Sequence, residues 1–385
     1  MIGIGQTKIE KETGIRGRYL AADAVMAAVK NSDLGVDRIS MLITGNMMSG
    51  ILTSQQQLGA LVADACGMRG IEAATVESAC SSGASAARWG FMAVAGGMHD
   101  AVAVCGMETM TSASREDTTA ALATAADWEL EGCIGETFIS LNAKIMKLYM
   151  ETYGVTSEDF AHFSVNAHDN GFTNPNAFLQ KKIDSETYLN SRMLADPVKL
   201  FDAPPVCDGA AAVILANEGV AREASRSGLP MIKVAGSAIG TDSLALAGRV
   251  DKLHLAGVEA STKRAFAQAG VTNADIDIFE LHDAYTVISS LSLEAAGFAE
   301  RGKGVHFGKD GEIALTGSLP ISTFGGLKSR GHPVGATGVY QLAETYMQLT
   351  GSAGDNQVLD PEIALVQNIG GTGATVVSHV LQRVC

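Results

Sequence analysis

A chain of 385 residues is too long for one ordinary core and is expected to fold as two packed units or as one duplicated unit. Hydrophobic residues make up 46% against 18% charged, the balance of an ordered globular protein, and 43 glycines with only 5% aromatics suit helices packed closely on sheets. A formal charge of −14 without a basic stripe excludes nucleic acid as the natural partner, and the absence of an eighteen-residue apolar run or a signal-peptide pattern gives the cytoplasm as the expected location.

In chain order, the Ala-rich segment Leu20 to Lys30 reads as an amphipathic helix, Gly35 to Ile39 as a turn, and Met41-Leu42-Ile43 as a buried strand. Ser78-Ala79-Cys80-Ser81-Ser82-Gly83 follows a strand-like stretch and opens a helix. Ala101 to Gly106 is an apolar strand. From about Thr111 to Asp202 the pattern breaks into polar helices and turn residues, which predicts an inserted lid or loop region. Asp208 to Leu215 then reads as a small-residue strand returning to the first sheet.

The second half repeats this plan. Ser261 to Ala269 is helix-like, Gly270-Val271 turns, and Ile276 to Leu281 is strand-like and ends at His282. Cys80 lies three residues before Gly83-Ala84, and His332 lies three residues before Gly335-Ala336, each ahead of a long helical pattern. Ala101 to Gly106 and Ile363 to Gln367 follow those helices in turn. Equal spacing predicts two βαβ-rich halves related by a pseudo-twofold, divided at 1–222 and 223–385, with the insertion at about 111–202.

Four segments carry chemistry. Cys80 at a helix start would have its thiolate favoured by the dipole and by nearby N–H groups, with small neighbours leaving room for a carbonyl. His332, in Gly331-His332-Pro333-Val334-Gly335-Ala336-Thr337-Gly338, mirrors Cys80, and Pro333 suits the first helical turn. Glu280-Leu281-His282-Asp283-Ala284-Tyr285 closes a buried strand, where α/β proteins place functional groups. Asn368-Ile369-Gly370-Gly371-Thr372-Gly373 is a Gly-rich turn able to point N–H groups at an oxyanion. The cysteines lack paired spacing, so neither a disulfide framework nor a metal site is expected; Cys66, Cys105, Cys133 and Cys207 read as structural and Cys385 as an exposed terminus. His99, His162, His168, His254, His306 and His379 fall outside these segments and read as surface or structural.

Together the segments resemble the thiolase family over essentially the whole chain, most of all the SCP2-thiolase-like branch and its archaeal acetoacetyl-CoA thiolases. The resemblance rests on Cys80 with Ser81-Ser82-Gly83, on Gly325-Gly326-Leu327-Lys328 leading into Gly331 to Gly338, and on His282-Asp283-Ala284-Tyr285. It implies two βαβαβαββ halves in a five-layer αβαβα arrangement. It implies an acyl-CoA acyltransferase in which Cys80 carries the acyl group, His332 takes and returns its proton, and His282 orients a water or donates to an enolate. The backbone N–H groups of Cys80 and Gly370 would hold the second oxyanion.

The same resemblance implies condensation of two acetyl-CoA for the mevalonate route, with CoA thioesters as substrates and no cofactor or metal. A dimer or tetramer, and association with HMG-CoA synthase through a small OB-fold (DUF35-type) protein, are implied partners. The acyl-CoA site would draw on the insertion and on Gly236 to Gly257. Neither cysteine that serves the family as second base is present, since those positions are Asn368 and Ala284. His282 is then the first candidate for that base, Tyr285 the second, and His332 could serve both steps. The alternatives are a thiolase-like retro-aldolase on CoA thioesters and a non-catalytic acyl-CoA scaffold; a β-ketoacyl synthase or an HMG-CoA synthase ranks below them.

Overall fold

The computed structural model describes residues 1–225, 228 and 230–384; the expectation for Cys385 lies outside the described residues. Its strands are β1 (Gly3–Gln6), β2 (Met41–Gly45), β3 (Glu72–Val76), β4 (Ala101–Thr109), β5 (Met193–Ala195), β6 (Val198–Lys199), β7 (Asp208–Ala216), β8 (Ile232–Thr241), β9 (Ile278–Glu280), β10 (Ile363–Gly370) and β11 (Thr375–Arg383). One sheet has the order β1-β7-β4-β2-β3 and the other β8-β11-β10-β9, while β5 and β6 form a separate hairpin.

The two sheets repeat one another strand for strand. In the first, β7 runs antiparallel to both β1 and β4, and β2 lies parallel to β4. In the second, β11 runs antiparallel to both β8 and β10, and β9 lies parallel to β10. Beside β2 stands the parallel edge strand β3; beside β9 the same place is taken by a single parallel bridge, Phe279 to Ile321. The predicted duplication is therefore present, and β7 does return to the first sheet.

Helices Gly17–Asn31 and Leu58–Ala65 cover the outer face of the first sheet, and Ala256–Ala269 covers that of the second. Between the sheets lie Ser82–Ala95 and Thr337–Leu349, which completes five layers. Of Thr337–Leu349 every residue except Met347 is buried, so its polar members must find partners inside. They do: Glu344 pairs with Arg330, and the Gln341 amide donates to the carbonyls of Glu280, Leu281 and Gln367.

The central helices approach through residues without bulk. A Cβ on Gly83 would lie 2.8 Å from the Gly335 carbonyl oxygen, and one on Gly338 would lie 2.5 Å from the Ala84 nitrogen. Only glycine permits these helix starts to touch.

The insertion is not a loose loop. It holds helices Arg115–Ala123, Phe138–Tyr153, Ala161–Thr173 and Ser185–Leu189, and Leu141, Ile145, Met146, Tyr149, Phe160 and Phe163 enter one core with Leu365, Ile369 and Val376 of the second sheet. Turn residues dominate its sequence, yet Phe138–Tyr153 keeps one apolar face, and burial of that face fixes the region. No helix among the described residues is long and apolar enough to cross a membrane.

Gly338→Val should lower stability by about 1–3 kcal/mol through overpacking, measured as a fall in melting temperature. Wild-type melting would mean that the helix starts do not touch.

Candidate active site

Cys80 sits in a turn between β3 and the Ser82–Ala95 helix. Ala79 takes a left-handed backbone (φ 53°), a conformation that a residue with a Cβ holds only when its surroundings enforce it. The enforcement is visible. Ala79 N donates to Glu77 Oε1 at 2.6 Å, the Ser81 hydroxyl donates to the Ser78 carbonyl at 2.6 Å, and the Ser82 hydroxyl donates to the Ala79 carbonyl at 2.6 Å. The sulfur is thereby held ahead of the helix start, which begins at Ser82.

His332 occupies the mirrored turn. Gly331 precedes it with φ 115°, and its backbone N–H donates to Cys207 Sγ at 3.2 Å. Its helix begins at Thr337 rather than at Pro333; Pro333 instead offers its carbonyl to Ala336 N at 2.8 Å in the turn before the helix. His332 Nδ1 lies 2.7 Å from Thr337 Oγ1, and that hydroxyl is 3.2 Å from the Pro333 carbonyl. His332 Nε2 is left facing the site.

His282 follows β9 and is 2% exposed. Its Nδ1 lies 3.0 Å from the side-chain amide nitrogen of Asn368. The next residue, Asp283, anchors the Gly-rich block: it accepts from Leu327 N at 2.8 Å and pairs with buried Lys328 at 2.8 Å. Arg330, also buried, binds Glu344 and stacks over Tyr340 at 5.3 Å. Two motifs far apart in sequence are thus bolted to one another and to the central helix.

Ligand atoms of Cys80, His282 and His332 all lie within 4.8 Å of one another, and the two imidazoles meet edge to face at 5.2 Å. The predicted pair of helix-start residues from opposite halves is therefore assembled, with His282 as a third member. The same three atoms form a donor set of the kind that holds a soft ion such as zinc.

Of the two glycines, Gly371 rather than Gly370 lines the cavity with Cys80. Gly370 ends β10, where its carbonyl accepts from Ala374 N, and Gly371 opens the turn that follows. Arg249 braces that turn, donating to the Thr372 carbonyl at 2.7 Å and to the Thr372 hydroxyl at 2.9 Å.

Burial sets the protonation states. It pushes the Cys80 thiol up to about 12, with the Glu108 charge adding to the rise, while the N–H groups of Cys80 and Gly371 pull it down. The helix start does not deliver a resting thiolate, because the surroundings are dry. Burial also lowers His282 to about 3 and holds His332 well below the usual imidazole range, in the latter case with help from His282 and Arg330. The Tyr285 hydroxyl is raised by burial and by Cys80. Glu108 is raised to about 7 by burial, although it accepts from Asn46 Nδ2 and from the N–H groups of Met47, Met48 and Gly335.

Cys80, His282, Tyr285 and His332 line a cavity of about 240 Å³. The insertion supplies much of its wall, including Leu122, Phe138, Ile139 and Asn142, and the exposed guanidinium groups of Arg115 and Arg192 flank it. The stretch Gly236 to Gly257 contributes no wall residue among those described. None of His99, His162, His168, His254, His306 and His379 lines it either. Cys66, Cys105 and Cys207 are buried free thiols, whereas Cys133 is exposed.

The N-terminal family model of thiolase matches residues 1–219, and the thiolase C-terminal domain-like model matches residues 238–383. This chain belongs to the thiolase family. An acetyl-CoA acetyltransferase of Methanothermobacter thermautotrophicus is 39% identical over 100% of this chain and 99% of its own length, and one of Methanocaldococcus jannaschii is 34% identical over 99% and 98%. Among solved structures, a chain of the Ltp2-ChsH2(DUF35) aldolase superposes with a TM-score of 0.86 at 25% identity, covering 99% of this chain and 97% of that one. The thiolase assignment makes this chain an acyltransferase enzyme.

Asn368, Gln341, Thr337 and Gly371 complete the site without having stood out as its members. Thr337 and Gly371 lie inside quoted motifs and Asn368 marks a displaced cysteine; Gln341 has no local signal.

With the thiol at rest, iodoacetamide should label Cys80 more slowly in the native enzyme than in the unfolded chain at pH 8. The native rate should climb about tenfold per pH unit from pH 7 to 9. A flat profile over that window, read by mass spectrometry of the Cys80 peptide, would indicate a preformed ion pair instead.

Proposed function

We propose that this chain is an acetyl-CoA C-acetyltransferase, joining two acetyl-CoA into acetoacetyl-CoA or running the reverse thiolysis through acyl-Cys80. The observation that carries this reading is the Cys80–His282–His332 cluster lining one cavity with Gly371.

Cys80 Sγ attacks the thioester carbonyl while its proton passes to His332 Nε2. The N–H groups of Cys80 and Gly371 receive the oxyanion, and collapse breaks the bond to CoA, whose sulfur takes the proton back from His332. A second acetyl-CoA then loses an α-proton, its enolate oxygen resting on an imidazole N–H, and the carbanion attacks the acyl-cysteine. Collapse releases acetoacetyl-CoA and returns Cys80. A neutral thiol and neutral imidazoles suit this course, since no charge need be stored in a dry site between turnovers. Exposed Arg115 and Arg192 suit the phosphates of CoA, which needs no further cofactor.

The reading includes its setting in the cytoplasm, in supply of the mevalonate route. Condensation of acetyl-CoA runs uphill, so handing the product to HMG-CoA synthase through a small OB-fold protein of the DUF35 type would draw it forward. The structural neighbour that carries DUF35 in its title supports such a partner. A homo-oligomer is supported by β3, an edge strand on which Glu72, Ala73, Ala74 and Thr75 are exposed beside a sheet that is otherwise buried.

A second reading, retro-aldol cleavage of CoA thioesters, is favoured by that same neighbour and by the absence of a cysteine at 284 and 368. Labelled acetyl-CoA separates the two. An acyltransferase should carry label on Cys80, lose it in Cys80→Ala, and lose about 10²–10³-fold of condensation rate in His282→Ala, the usual effect of removing one oxyanion donor. An unlabelled wild type that cleaves a β-hydroxyacyl-CoA would establish the aldolase instead.

A further inference from the structure

The hydrogen-bond pattern behind His282 determines which of its nitrogens carries the proton. Gln341 is the starting point. Its amide nitrogen lies 3.2 Å from the Glu280 carbonyl, 2.9 Å from that of Leu281 and 3.1 Å from that of Gln367. Backbone carbonyls accept and never donate, so the Gln341 NH₂ must face them and its oxygen must face away. That oxygen is 2.8 Å from Asn368 Nδ2, so the group Asn368 offers there must be a donor. The same NH₂ reaches His282 Nδ1 at 3.0 Å, which must then be a lone pair. Asn368 Oδ1 is buried without a partner among the described residues, so none of them competes for the orientation.

We propose that Gln341 and Asn368 form a one-way relay that locks His282 as the Nε2–H tautomer, making it an oxyanion donor and leaving His332 as the only imidazole base. The inference deepens the acyltransferase reading and rests on it for the substrate, although not for the tautomer. Asn368 and Gln341 are positioning residues: they touch His282 and each other, and act on the enolate only through the imidazole.

His282 is thereby excluded as the carbanion-forming base, the role first expected for it. At His332 the polarity runs the other way: Nδ1 can donate to Thr337 Oγ1, whose own hydrogen turns to the Pro333 carbonyl, so Nε2 presents a lone pair. One base then serves both half-reactions. His332 Nε2 takes the Cys80 proton during acylation and gives it to departing CoA. Neutral again, it takes the α-proton of the second acetyl-CoA while His282 Nε2–H holds the enolate oxygen. After carbon–carbon bond formation the expelled Cys80 sulfur recovers that proton from His332, so protons and electron pairs balance without a second cysteine.

The relay also speaks to the metal donor set. A metal-bound imidazole presents its second N–H to an acceptor. The neighbour of His282 Nδ1 is a donor, so Nε2 keeps its hydrogen and zinc finds two ligands instead of three.

Three measurements test the relay. In wild-type enzyme labelled with ¹⁵N-histidine, with His282 assigned by loss of its signals in His282→Gln, Nε2 should be protonated and Nδ1 bare from pH 5 to 9; Nδ1–H or an imidazolium in that range overturns the proposal. His282→Gln, which can donate but cannot act as a base, should keep about tenfold more condensation rate than His282→Ala; equal rates overturn it. Asn368→Asp cannot supply both Gln341 and His282, so it should condense more slowly than Asn368→Ala. If Asp, the closer match in shape, is instead the milder change, Asn368 merely fills space. Cys80 labelling by acetyl-CoA is scored separately, so failure of the acyltransferase reading shows there while the NMR result stands alone.

Discussion

Contact between two helix starts is the constraint on which the site depends. Cys80 and His332 come from opposite halves of a duplicated fold and meet only because Ser82–Ala95 and Thr337–Leu349 approach through Gly83, Ala84, Gly335 and Gly338. A side chain at Gly83 or Gly338 would meet the backbone of the opposite turn and press the two apart. The five layers exist around that contact, with one sheet on each side of the central helices and with outer helices sealing the sheets from water.

The loops that carry the chemistry have little regular structure, so buried charge holds them. Lys328 with Asp283 joins the Gly-rich block to the His282 turn, Arg330 with Glu344 joins that block to the central helix, and Glu108 ties Asn46 to Met48 against Gly335. Such groups are costly to desolvate, and apolar packing would serve stability as well or better. What they supply is direction. A carboxylate with several N–H groups aimed at it admits one arrangement of the loops, whereas an apolar contact admits several.

Dryness follows from this construction and governs the reaction. Burial keeps the Cys80 thiol protonated and both imidazoles neutral, so charge develops only when a substrate carbonyl supplies somewhere for it to go. In the proposed reaction the Cys80 and Gly371 amides and an imidazole N–H would receive it, from residues that already line one cavity. Electrostatic preorganisation of this kind acts most strongly where water is excluded.

The duplication, the strands that repeat across it and the paired turns at Cys80 and His332 were legible in the sequence, because periodicity and spacing are local properties that survive without coordinates. The edge strands β1 and β8 were not, since pairing rather than pattern defines them, and the insertion looked looser than it is because its stabilising contacts lie in the second sheet. His282 could be chosen as a site residue from its place at the end of a strand, but its role could not. The role proposed for it turns on Asn368, 86 residues away, and on Gln341, which answers to three carbonyls drawn from β9, β10 and the turn between β9 and His282. Residue types fix which protons are available; only the folded chain decides which lone pair each one faces, because a hydrogen bond depends on direction that sequence distance does not encode.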